Sequence, residues 1–165
     1  MTAPDPEPRW LDDDDRESWA ALARMLIWLP TALDNQLQRD SDLSHYEYGI
    51  LAALSEADEG TLRMSELAIY ANGSLSRLSR AVARLERRGW ATRTPDPADG
   101  RYTLATLTDD GRAVLVAAAP GHVEAVNRLV FDPLTGAQAR QLRTIAGRIL
   151  NAIEAEHGMA PQPRP

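Results

Sequence analysis

The chain has 165 residues, 44% hydrophobic and 25% charged, enough for one domain whose core, at 5% aromatic, must be mainly aliphatic. It contains no cysteine, which excludes disulfides, thiolate metal sites and cysteine redox switches. The net charge of −6 is unevenly spread: residues 1–17 have a local balance of −5 and residues 74–101 one of +4, and all 18 basic residues are arginine, whose planar fork grips phosphate and guanine in pairs of hydrogen bonds.

No apolar run approaches the roughly 18 residues of a membrane span, and the proline- and aspartate-rich N-terminus is no secretory signal, so the expected location is cytoplasmic. Residues 1–13 read as a disordered acidic lead. A long helix is expected from about Asp14 to Gln38, with Trp19, Leu22, Leu26, Leu29, Leu33 and Leu37 at helical spacing and a kink at Pro30. Ser44-His45-Tyr46-Glu47 is a capping box, opening a second helix that runs to about Glu56 and turns Tyr48, Leu51 and Leu54 inward.

Leu62-Arg63-Met64 is short and extended, and Ser65 caps a brief third helix, residues 66–71. Asn72-Gly73 breaks the chain. Ser74 caps a fourth helix that ends at Gly89. Residues 90–94 and 102–107 are rich in β-branched and aromatic residues, and the loop Pro95 to Arg101 between them has hairpin composition. Thr108 caps a fifth helix, expected to be interrupted at Pro120-Gly121 and to end by Asp132-Pro133. A second capping box at Thr135 opens a sixth, with Leu142, Ile145, Ile149 and Ile153 on one stripe; residues 157–165 read as a flexible tail. The fold class is mainly α with a small β-hairpin wing.

The fourth helix is two-faced. Leu75, Leu78, Val82 and Leu85 fall on one side; Ser76, Arg80, Arg84 and Arg87 fall opposite, with Arg77 at the edge. On an isolated helix such arginines are an ordinary solvated face. Placed after a helix-turn and before a hairpin, they suit insertion into a major groove, with Ser74 at the leading end. Arg101 on the hairpin tip suits a minor groove, oriented by Asp99. Arg93 on the outgoing strand is either a phosphate contact or a plain exposed residue.

Met64-Ser65-Glu66-Leu67-Ala68, Ser76-Arg77-Leu78-Ser79-Arg80, Leu85-Glu86-Arg87-Arg88-Gly89-Trp90, Pro97-Ala98-Asp99-Gly100-Arg101 and Leu107-Thr108-Asp109-Asp110-Gly111-Arg112, in this order and spacing, resemble the MarR family of bacterial regulators. The likeness covers roughly residues 14–154. It implies a winged helix-turn-helix lobe at about 44–108 and dimerisation helices at about 14–38 and 109–156. It also implies a homodimer on double-stranded DNA bearing an inverted repeat, and repression relieved by a small aromatic or phenolic effector. Trp19, Trp28, His45, Tyr46 and Arg63 are the candidate effector residues, although a helical tryptophan is more often core packing. Leu22, Leu26, Val126, Leu129, Ile145, Ile149 and Ile153 serve either the dimer interface or the intrachain core.

His45, His122 and His157 lack metal-ligand spacing, and no nucleotide-binding or hydrolase motif is present, so neither cofactor nor enzymatic reaction is expected. The competing reading is a winged-helix protein-interaction module that has lost DNA binding, which the acidic net charge favours.

Overall fold

The computed structural model describes residues 8–71 and 74–157; the Asn72-Gly73 break and the expectations for residues 1–7 and 158–165 lie outside the described residues. Helix α1 (Asp13–Ser41) is capped by Asp12, whose carboxylate accepts the Asp15 N–H at 2.8 Å, and continues through Pro30. Asp42, with φ at 51°, ends it. Only the C-terminal half of its apolar stripe is buried, at Leu33 and Leu37; Trp19 and Leu26 face outward.

Helix α2 (His45–Glu56) opens on the expected capping box. A turn at Asp58–Gly60 leads to strand β1 (Thr61–Arg63), and helix α3 (Met64–Tyr70) follows without a gap. The cap of α3 is therefore Arg63 and not Ser65: the Arg63 N–H donates to the Glu66 carboxylate at 3.1 Å. Helix α4 (Leu75–Arg87) starts at Ser74, whose hydroxyl accepts the Arg77 N–H.

Gly89, with φ at 75°, ends α4 in a Schellman turn: its N–H bonds the Glu86 carbonyl and the Trp90 N–H bonds the Leu85 carbonyl, both at 2.9 Å. The chain thereby reverses into strand β2 (Ala91–Pro95), which pairs with strand β3 (Thr103–Leu107) as the wing. β1 pairs with the other edge of β3, so the hairpin is part of a three-stranded antiparallel sheet ordered β1-β3-β2.

Helix α5 (Asp109–Val126) is capped by Thr108, which also donates its hydroxyl proton to the Gly89 carbonyl at 2.7 Å. A Cβ on Gly111 would lie 2.0 Å from the Trp90 carbonyl oxygen. Only glycine lets α5 approach the α4–β2 corner this closely, which gives the Leu-Thr-x-x-Gly stretch a physical meaning. Contrary to the sequence reading, Pro120 does not interrupt α5, which continues into a π-helical turn at Asn127–Phe131. Leu115, Ala118 and Ala125 are buried and α5 packs on α1 and α2, which supplies what the one missing N–H withholds.

The expected absence of a membrane-length segment also needs correction. Asp109–Phe131 contains an 18-residue window of mean hydropathy 1.2, long and apolar enough by composition; the helix packs on α1 and α2, with 17% of that window buried. Helix α6 (Gly136–His157) is the last of the described elements, capped by Thr135 and Gln138. The core lies under α4, where Leu37, Leu43, Ile50, Leu51, Leu54, Leu67, Leu78, Val82 and Leu85 are all fully buried.

Candidate nucleic-acid interface

Helix α4 seats its back, Leu78, Ala81, Val82 and Leu85, in that core. The sequence reading placed Leu75 with them, and here it is corrected: Leu75 is 55% exposed. It stands at the first turn of α4, past the edge of the core. The front carries Ser74 and Ser76, their hydroxyls 3.1 Å apart, then Arg77, Arg80, Arg84 and Arg87, all exposed. Arg80 and Arg87 make no ion pair among the described residues. Arg77 stacks its guanidinium 4.2 Å from the centre of the Tyr46 ring, which fixes its direction.

Arg84 is tethered from behind: its Nε donates to Glu47 Oε1 at 2.7 Å. Glu47 is itself buried and accepts the Ser44 N–H and hydroxyl through Oε2. Burial pushes its carboxyl up, but these hydrogen bonds and the Arg84 charge outweigh it and hold the group below the usual carboxylate range. Arg84 is thus held between α4 and α2, with its side chain 47% exposed. Arg93 is only partly exposed: its Nε donates to Glu86 Oε2 at 2.8 Å and its Nη1 to Ser79 Oγ at 3.2 Å, bracing β2 against α4.

The wing tip is closed by local hydrogen bonds and an ion pair. Arg101 is 84% exposed and grips Asp99 in a fork, Nε to Oδ1 at 3.0 Å and Nη2 to Oδ2 at 2.6 Å. The Arg101 guanidinium and backbone N–H hold Asp99 below its ordinary range. Asp96, which sequence reasoning did not single out, is buried; its Oδ1 accepts the Ala98 N–H at 2.8 Å and its Oδ2 accepts Arg63 Nε at 2.8 Å. The composition of Pro95 to Arg101 signalled a hairpin loop; the bond of Asp96 to a partner 33 residues away was not readable.

The five candidate effector residues are not brought together. Arg63 is committed to the wing, paired with Asp96 and lying 4.6 Å from the centre of the Tyr102 ring. Tyr46 stacks under Arg77. His45, at the start of α2, lies against His122 of α5 with ring centres 5.6 Å apart, and His122 lies 4.4 Å from Tyr48. Trp19 is exposed on α1. Trp28 lines a separate apolar groove of about 660 Å³ with Met25, Leu129, Leu134, Leu142 and Ile145, between α1, the end of α5 and α6.

The arrangement can do one thing well: present a serine- and arginine-lined helix face and an arginine-tipped ribbon to a polyanion. A family model described as the MarR family matches residues 41–101. The HTH-type transcriptional regulator PecS of Dickeya dadantii is 30% identical over 129 residues, covering 78% of this chain and 76% of its own. The crystal structure of a MarR family transcriptional regulator from Streptomyces coelicolor in complex with DNA is 44% identical, with a TM-score of 0.83 and 94% of each chain covered. CouR from Rhodococcus jostii RHA1, solved bound to p-coumaroyl-CoA, is 25% identical, with a TM-score of 0.66 over 86% of this chain and 95% of its own.

Proposed function

The chain belongs to the MarR family of transcriptional regulators, and from that premise we propose that it is a cytoplasmic homodimeric repressor which binds an inverted-repeat operator and is released by a small aromatic or phenolic effector. The observation that carries this reading is the amphipathic α4, anchored by its aliphatic back, with Arg80 and Arg87 exposed on its front and in no ion pair among the described residues. Ser74, Ser76, Arg77, Arg80, Arg84 and Arg87 meet the major groove, and Arg101, held by Asp99, enters the minor groove beside it. Arg93 braces the wing with its Nε and Nη1. A two-fold dimer sets two such faces roughly 34 Å apart, one helical turn of DNA. The aromatic ligand of CouR supports the effector class, and the Trp28 groove offers apolar walls for such a ligand.

The test is DNA binding by fluorescence anisotropy against salt, on sequences selected from a random pool. Affinity falls steeply as salt rises, since each neutralised phosphate releases counterions. Arg80→Ala relaxes preference at one or two positions by about 1–3 kcal/mol, and Arg101→Ala weakens binding without changing the melting temperature. A protein that enriches no sequence and shows no salt-dependent binding is an interaction module instead.

A further inference from the structure

Leu75 is the anomaly of the first turn of α4. Its neighbours on the exposed first turn are the hydroxyls of Ser74 and Ser76 and the guanidinium of Arg77, yet Leu75 leaves a large aliphatic side chain 55% exposed among them. Its position is fixed, because Ser74 caps the helix through the Arg77 N–H and bonds the Ser76 hydroxyl. It forms one wall of a cleft of about 240 Å³ between α4 and the wing, shared with Ser79, Arg93, Arg101 and Tyr102. Leu75 is not part of the buried core, and more than half of its surface is left open by the described residues.

The proposed docking puts this turn foremost in the major groove, where the N-terminal residues of a recognition helix meet base edges. Hydroxyls and guanidiniums read the acceptors and donors of that groove. A leucine has one partner there, the C5-methyl of thymine, the only apolar group a base presents on that side. We propose that Leu75 is a specificity-determining residue that selects a thymine at one position of each half-site by packing on its methyl group. This rests on the DNA-binding reading above and adds to it a base preference set by apolar contact.

The experiment replaces each thymine of the selected operator, singly, by deoxyuridine, which removes only the methyl, and measures affinity for the full-length chain and for Leu75→Ala. One position per half-site loses about fourfold in the wild type, the value of burying one methyl group. Leu75→Ala binds the thymine operator correspondingly less tightly and is indifferent to uracil at that position alone, while keeping the response to Arg80→Ala elsewhere. A wild type that tolerates uracil at every position overturns the inference, as does a methyl effect that survives in Leu75→Ala. A protein that selects no DNA at all overturns the regulatory reading itself, a separate and earlier result.

Discussion

At the scale of single residues, Glu47 does two jobs with one carboxylate. Oε2 completes the cap of α2 and Oε1 holds Arg84 on the recognition helix, so the group ties two elements of the lobe together. The cap was legible in the sequence, because a serine three residues before a glutamate fixes local geometry. The bond to Arg84, 37 residues away, was not, because it depends on how α4 crosses α2. Leu75 failed for the same kind of reason: helical spacing gives a residue's angle around the axis, not where along the axis the core ends. Glu47→Ala removes a buried acceptor from three donors and is expected to destabilise the protein by about 1–3 kcal/mol in urea unfolding at neutral pH. Because the folded carboxyl titrates below its unfolded value of 4.5, that contribution is fully present above the unfolded value and disappears as pH falls through the lowered folded one. A Glu47→Ala difference that persisted at full acid titration would show that packing, not the hydrogen-bonded charge, is what the residue supplies.

At the scale of elements, the seam between α2 and α5 joins the DNA-binding lobe to the helices outside it, and two imidazoles lie in that seam. The Nδ1 atoms of His45 and His122 are buried without a hydrogen-bond partner among the described residues. Burial lowers the His45 pKa, against the pull of Asp34 on α1, whose carboxylate also accepts the His45 backbone N–H at 2.8 Å. Burial lowers that of His122 as well, with a further push from His45. Tyr48 of α2 faces His122, and Gln36 and Asp40 of α1 lie against neighbouring Gly121. In the unfolded chain both imidazoles titrate near 6.5. Between that value and the lower folded values the unfolded state binds more protons, so stability falls as pH drops through this window and levels off below it. The expected outcome is a melting temperature that declines from about pH 7 toward about pH 5 in the wild type and stays flatter in His45→Gln/His122→Gln. Equal slopes would mean that these two groups are not the ones titrating. The sequence offered three scattered histidines and no hint of this pair. A proline in α5 likewise argued for a break that the packing of that helix on α1 and α2 overrides.

At the scale of the whole molecule, the distribution of apolar surface argues for a second copy. Ile145, Ile149, Leu150 and Ile153 stand 42–55% exposed along α6. Across the groove, α1 shows Met25, Leu26 and Trp28, and the end of α5 shows Leu129 and Phe131, all exposed. Scattered exposed leucines are ordinary, but apolar surface of three helices around one groove is what the proposed dimer would bury. The stripe on the sixth helix was readable as a period of three and four; which side of it met its own chain was not, since the same leucines and isoleucines serve either core. Ile149→Asp places a charge in the middle of this patch without touching the lobe, where the core under α4 is complete in one chain. It is expected to sediment as a monomer and to keep the wild-type helical signal. Its affinity for the inverted repeat should drop by about 10²–10⁴, because linking two recognition helices turns the second half-site contact into an intramolecular one. A single half-site, by contrast, should be bound about equally by Ile149→Asp and wild type. If the variant remains dimeric, the exposed stripe belongs to another partner, and the spacing of the two DNA-reading faces must be set by a different surface.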